Sequence, residues 1–395
     1  METPARVADL PRILAYNLFG LPRVAAAFAR MDFCAVERAR ILASEQSDAL
    51  FENVEVVCFA ECFRDDVFPV LREGMARRGF VHHSQRVGHN LVTVPTGRKR
   101  RLGWPLNGGV VIFSRIAIGE TNEVVFRSAV GEDWCVAKGA VHVRLQTRPT
   151  VHIVATHLQA NSTAQMARPS EWFIGGASRR ERRLQRCKDV RAAQLQQVRD
   201  LVERLSVDES DLVFFAGDFN IHWQTDECAR SLCGVLGAAT PAEQVPFDNP
   251  DIPSCDHGKN SILLAQKSDP PPPDAAEESS TLDYVLPTKE SLKKLASMGV
   301  RWRMRTISRV AAPEAGILAR EAFRYKGRQF DDLSDHYPVL GYAVQMRGDA
   351  SGDLQLTESS ANEPSENVNG TGMSQSETAS DGEPEFPPIS SSGLL

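Results

Sequence analysis

An α/β fold is predicted for residues 10–347 of this 395-residue chain, and three observations predict it. Eight short runs of apolar, β-favouring residues recur along that span. Stretches with helical apolar spacing fall between them. Apolar residues make up 42% of the chain and charged residues 24%, enough for a large core and too ordinary for a collagen-like, coiled-coil or fully disordered protein.

Taken in order, the first run is 12–16, where ILAY leads into Asn17. A helix is expected within 24–50. The run 54–60 carries VVCFA into Glu61, and a run at 109–113 follows. The runs 135–145 and 151–155 come next, and in the second VHIVAT leads into His157. A helix is predicted over 184–206, where Leu195, Val198, Val202 and Leu205 recur beside Arg and Gln. In 212–216, LVFFAG leads into Asp218, with Asn220 two residues on. Runs at 282–286 and 337–343 complete the set. The four quoted runs are apolar at consecutive positions, as expected of strands buried on both faces.

The formal charge of −6 is unevenly distributed. Residues 349–395 carry nine acidic residues and no Lys or Arg, so −6 becomes +3 for residues 1–348. The segment 348–395, rich in Ser, Glu, Gly, Asn and Pro, is expected to be a disordered tail. A Pro-rich insertion near 266–280, with four prolines at 270–273, reads as an exposed polyproline loop. The eight cysteines have no zinc spacing and are expected to be free thiols. No run reaches the ~18 apolar residues of a spanning helix. The start METPARVADLPRILAYN lacks the apolar stretch of a secretory signal. A cytoplasmic, peripherally membrane-associated protein is expected, with secretion by another route left open.

Chemistry enters at the strand ends. Four buried runs terminate in Asn17, Glu61, His157 and Asp218, and a buried strand end is a rigid place from which to aim a polar group into a cleft. Two further clusters join them: TLDYVLP, containing Asp283, and LSDHYPVL, containing Asp335 and His336. Hard oxygen donors suit Mg²⁺ or Mn²⁺ more than zinc. Two imidazoles beside such a cation suit hydrolysis, one deprotonating water and the other protonating a leaving oxygen.

These blocks resemble the endonuclease/exonuclease/phosphatase superfamily: Asn17 after a strand, Glu61 in AEC, THLQA at 156–160, GDFN at 217–220, LDY at 282–284 and SDHYPV at 334–339, all in the family order. The resemblance implies a four-layer, deoxyribonuclease-I-like sandwich of two packed mixed β-sheets flanked by helices. Residues 1–347 would form a single catalytic domain of this type. Within the superfamily, Asp133 to Lys138-Gly139 is similar to the D-x4-KG block of the Mg²⁺-dependent neutral sphingomyelinases, as are THLQA, LDYVLP and SDHYPV with Tyr337.

The resemblance implies roles. Glu61 would bind Mg²⁺, with Asn17 beside it, and Asp218, Asn220 and Asp335 would contribute to metal and phosphate binding. His336 would be the general base and Asp283 its orienting partner. His157 would stabilise the pentacoordinate phosphorus or protonate the departing ceramide oxygen. Lys138 is a candidate phosphate contact or a partner of Asp133. The implied reaction is hydrolysis of sphingomyelin or a related phosphosphingolipid to ceramide and the phosphorylated headgroup. A DNA or abasic-site endonuclease and an inositol-phosphate phosphatase are the alternatives, the latter lacking its usual W-[CT]-D-R block here. The expected partner is the lipid in a membrane, with an anionic surface as a further candidate, nucleic acid disfavoured and a monomer anticipated. Candidate membrane contacts are Trp104, beside the basic run 98–101, and Trp172 with Phe173, ahead of the basic run 179–186.

Overall fold

The computed structural model describes residues 10–22, 34–89, 106–161, 176–223, 225–239, 246–257, 259–266, 279–308, 323–325 and 328–346. In strand β1 (Ile13–Gly20) all eight residues are buried. Ile13 and Ala15 enter a core shared with a second sheet, while Leu14 and Tyr16 enter a core shared with helices. A strand covered on both faces reads as an unbroken apolar run.

Helices α1 (Ala35–Ala43) and α2 (Asp48–Phe51) lead to β2 (Val56–Cys62). Helix α3 (Phe68–Arg77) is followed by β3 (His82–His83), β4 (Leu106–Asn107), β5 (Val111–Ser114) and β6 (Ile118–Val125). A 3₁₀ turn at Gly131–Cys135 runs through β7 (Val136–Ala137) into β8 (Gly139–Leu145) and then β9 (Val151–His157). The long α4 (Gly176–Glu203) precedes β10 (Leu212–Asp218), a π-turn at Cys228–Cys233 and α5 (Ser261–Gln266). Last come β11 (Asp283–Pro287), α6 (Lys289–Ser297), β12 (Val300–Thr306), the pair β13 (Phe323–Tyr325) and β14 (Arg328–Phe330), and β15 (Val339–Gln345).

The first large sheet has the order β12-β15-β1-β2-β5-β3 and the second β11-β10-β9-β8-β6. Each is mixed, with one parallel pair, β1–β2 and β9–β10 respectively. The sheets pack face to face, with β1 and β2 against β9, β10 and β11. Trp302 of β12 crosses the gap. It is fully buried, its ring centroid lies 4.5 Å from that of Phe214, and its Nε1 donates to Val285 O at 2.9 Å. Apolar residues of α1 and α3 cover the outer face of the first sheet, among them Ala39, Leu42, Leu71 and Met75. Leu195, Val198 and Leu201 of α4, with Leu295 of α6, pack against the second. This is the expected four-layer sandwich.

Several boundaries differ from the sequence expectation. The first strand continues past residue 16, so Asn17 lies inside it. The run 135–145 is broken, and Lys138 sits at the break between β7 and β8. The helix expected at 184–206 begins earlier and ends at Glu203. None of the eight cysteines is in a disulfide. Among the described residues no helix is long and apolar enough to cross a membrane.

Candidate active site

Three site residues stand in one row of the second sheet. Asp218 at the end of β10 pairs with His157 of β9 on one side and with Asp283 of β11 on the other. Directly paired residues project from the same face. All three are buried, at 2%, 2% and 0% exposure for Asp218, His157 and Asp283. The preceding Gly217 permits this close register. Its φ is +123°, and a Cβ there would lie 2.1 Å from Thr156 O.

The first sheet supplies the facing groups. Residues 13, 15 and 17 of β1 share a face, so Asn17 follows Ile13 and Ala15 into the space between the sheets. Its Nδ2 donates to Asp218 Oδ2 at 2.9 Å and to Glu61 Oε1 at 3.2 Å. Strand alternation alone would send Glu61 to the helix side, with Val57 and Phe59. Instead Glu61 has φ +55°, a left-handed backbone that redirects the chain at the end of β2. A bulge between Asn17 and Gly20 accommodates it, since a Cβ on Gly20 would lie 2.5 Å from Glu61 O.

The segment before β15 closes the site. Ser334 Oγ donates to Asn17 O at 2.6 Å and accepts from His336 N at 3.3 Å. His336 Nδ1 lies 2.7 Å from Asp283 Oδ2. With Nδ1 donating to the carboxylate, Nε2 is the nitrogen left to exchange a proton with a reacting group. On the far side of Asp218, His157 Nε2 lies 3.6 Å from Asp218 Oδ2 and 2.9 Å from Lys138 Nζ. Lys138 also donates to Asp133 Oδ2 at 2.8 Å and to Leu158 O at 3.0 Å.

Burial sets the electrostatics. It raises Glu61 to about 7, with help from Asp335, and Asp218 to about 6, with help from Asp283. Burial raises Asp335 too. It opposes charging of His336, but the Asp283 carboxylate overrides it and holds the ring well above the usual histidine range. Burial, then Lys138 and His336, hold His157 well below that range. The Lys138 ammonium nitrogen and His157 Nε2, 2.9 Å apart, form one hydrogen-bonded pair beside Asp218.

The donor set fits a hard divalent cation. Glu61 Oε2 and Asp283 Oδ1 are buried and have no hydrogen-bond partner. Asp218, Asp283 and His336 can each offer one ligand atom within 4.8 Å of the others. Asp218 is common to that triad and to the Asn17–Glu61 side. The bond to Asp283 uses only Nδ1 of His336, and the Glu61–Asp218 side supplies the hard oxygens that Mg²⁺ or Mn²⁺ prefers.

Of the residues singled out from the sequence, Asn17, Glu61, His157, Asp218, Asp283 and His336 converge, with Lys138 joined to His157. Asp335 Oδ1 lies 3.3 Å from Ser334 Oγ, and its charge raises Glu61. Asn220, φ +51°, donates through its backbone N–H to Asp218 Oδ1 at 2.9 Å and through Nδ2 to Leu158 O at 3.2 Å. Trp104, Trp172 and Phe173 lie outside the described residues, as do most of the Pro-rich insertion and the tail. Sequence reasoning missed Gln159, Gln194 and Arg191. Gln159 holds Val130 by both backbone groups, at 2.8 and 3.0 Å. Gln194 Oε1 accepts from Gln159 N at 2.8 Å, and the buried Arg191 donates to Gln159 O at 3.0 Å and to both oxygens of Glu227. Gln159 lies inside the THLQA block, which was the one available signal. His142 and His152, given no role from sequence, form a buried relay to Asp211 at 3.0 and 3.1 Å, outside the site.

Residues 14–336 match the Endonuclease/Exonuclease/phosphatase family. The chain is 24% identical over 345 residues to a sphingomyelinase C of Leptospira interrogans, covering 84% of this chain and 51% of that protein. It spans about half the length of the Leptospira relatives it matches. Among solved structures, sphingomyelinase C from Streptomyces griseocarneus superposes with a TM-score of 0.62 at 23% identity, covering 84% of this chain and 98% of that one. Beta toxin from Staphylococcus aureus, solved with bound magnesium ions, superposes with a TM-score of 0.63 at 19% identity, again covering 84% and 98%.

Proposed function

The chain belongs to the endonuclease/exonuclease/phosphatase family, and we propose that within it this protein is a divalent-metal-dependent phosphodiesterase. Its substrate is sphingomyelin or a related phosphosphingolipid, and its products are ceramide and the phosphorylated headgroup. One observation carries the proposal. Asp218 is flanked in its sheet by His157, which lies 2.9 Å from Lys138, and by Asp283, which holds the second imidazole, His336, at 2.7 Å. The sphingomyelinase C relatives support the lipid substrate.

Phosphodiester hydrolysis needs a base for the attacking water and an acid for the leaving oxygen. In its neutral form, with the ring proton on Nδ1, His336 takes the water proton at Nε2, and Asp283 fixes the ring and stabilises the imidazolium that results. As the water oxygen bonds to phosphorus, the phosphorus–ceramide oxygen bond breaks. The departing oxygen takes its proton from the Lys138–His157 pair. Asn17 holds the Glu61 and Asp218 carboxylates in place, and Asn220 orients phosphoryl oxygens. Glu61, Asp218 and Asp335 would hold Mg²⁺ or Mn²⁺, which when bound neutralises charge building on the phosphoryl oxygens.

The test is phosphocholine release from sphingomyelin in detergent micelles, with EDTA and His336→Ala as controls and plasmid nicking in parallel. Release that disappears in both controls, without nicking, is expected. Nicking without release would move the protein to the nuclease alternative.

A further inference from the structure

Among the described residues three large apolar side chains are substantially exposed: Val81, Val207 and Trp134. Trp134 is the aromatic one, at 48% exposure. It stands on the 3₁₀ turn Gly131–Cys135, next to Cys135, which is exposed as well. The turn is tightly held. At its start, Val130 is bonded through both backbone groups to the Gln159 amide, at 2.8 and 3.0 Å. In its middle, Asp133 Oδ2 accepts from Ala160 N at 2.9 Å and from Lys138 Nζ at 2.8 Å. Four hydrogen bonds thus anchor the turn that presents the half-exposed indole, one residue from the partner of Lys138. Lys138 is itself 2.9 Å from His157.

We propose that Trp134 is a lipid-interface contact at the rim of the active site, inserting into a zwitterionic, choline-type bilayer surface. This rests on the lipid phosphodiesterase reading above. An amphipathic indole with one N–H suits the boundary between headgroups and acyl chains, where one end is apolar and the other wet. A substrate whose phosphodiester lies in that boundary must bring the bilayer to the rim next to His157 and Lys138. The choice of surface follows from charge. The turn carries Glu132 and no Lys or Arg, and Asp133 is neutralised by Lys138, so the turn offers none of the basic clusters that anchoring to anionic lipid uses.

The test separates binding from chemistry. Wild type, Trp134→Phe and Trp134→Ala are partitioned onto sphingomyelin/phosphatidylcholine vesicles in EDTA, where no turnover occurs, with and without phosphatidylserine. Tryptophan quenching by brominated phosphatidylcholine is read alongside, as is Mg²⁺-dependent hydrolysis of a water-soluble phosphocholine ester. Trp134→Ala should weaken partition by about tenfold, Trp134→Phe should retain most of it, and both should keep wild-type hydrolysis of the soluble ester. Wild-type quenching should exceed that of Trp134→Phe. Equal partition of wild type and Trp134→Ala would overturn the proposal, as would binding that requires phosphatidylserine. Loss of soluble-ester hydrolysis in Trp134→Ala would do the same, because it would assign the indole to the fold or the reacting centre. A wild type that partitions through Trp134 yet leaves the ester intact would contradict the catalytic reading and leave the interface contact standing.

Discussion

A divalent cation should stabilise this fold more near pH 7.5 than near pH 5, and the size of the effect follows from two carboxyls. Burial and Asp335 raise Glu61 from 4.5 to about 7, and burial and Asp283 raise Asp218 from 3.8 to about 6. In the unfolded chain both acids lose their protons first. A raised acid therefore withholds stability progressively as pH climbs from its unfolded pKa to its folded one, and the full penalty is present above the folded value. For Glu61 this penalty is roughly 3 kcal/mol, at about 1.36 kcal/mol for each pH unit. A cation held between the ionised oxygens offsets it. A folded body of this size has an unfolding entropy of roughly 0.7 kcal/mol/K, so about 3 kcal/mol moves Tm by about 4 °C. Thermal melts in Mg²⁺ and in EDTA at the two pH values read the difference. The expected result is a Tm rise of about 4 °C or more near pH 7.5 and about 1 °C or less near pH 5. Glu61→Gln with Asp218→Asn should abolish the response. An equal rise at both pH values, or one that survives in the double variant, would refute the argument.

Three further outcomes are expected. Asp283→Asn removes the carboxylate that overrides burial at His336, so the base limb of the kcat/KM profile should move to lower pH while kcat falls by about 10²–10⁴. Lys138→Met removes one of the charges that depress His157, so a ring-nitrogen NMR titration should find His157 closer to its ordinary range, with reduced turnover. Arg191→Met leaves Glu227 and Gln159 O without their donor. Breaking a buried pair in this way costs about 3–5 kcal/mol, and calorimetry should record a Tm lower by about 4–7 °C, with Arg191→Lys recovering part of it.

The site was largely legible because its groups sit at the ends of strands buried on both faces. Asn17, Glu61, His157 and Asp218 each follow an apolar run in the sequence, and the sheets bring those ends together. The same physics hid other elements. Strand β6, IGETNEVV, is a solvated edge with little apolar signal, and β12, VRWRMRT, alternates buried positions with half-buried arginines. The left-handed turn at Glu61 is invisible to a two-residue period, which assigns that side chain to the wrong face. The Gln159–Gln194–Arg191 network depends on partners about 30 positions apart, so no local pattern announces it. Lys138 was recognised from its block, but its contact with His157 needed the break between β7 and β8.

The most direct test of the central claim is hydrolysis of sphingomyelin in ¹⁸O-labelled water with Mg²⁺, followed by mass spectrometry of both products. Attack by a water that His336 activates at phosphorus predicts one ¹⁸O in phosphocholine and none in ceramide, with no product from His336→Ala. Release of choline together with ceramide phosphate, or turnover that persists in His336→Ala, would contradict it.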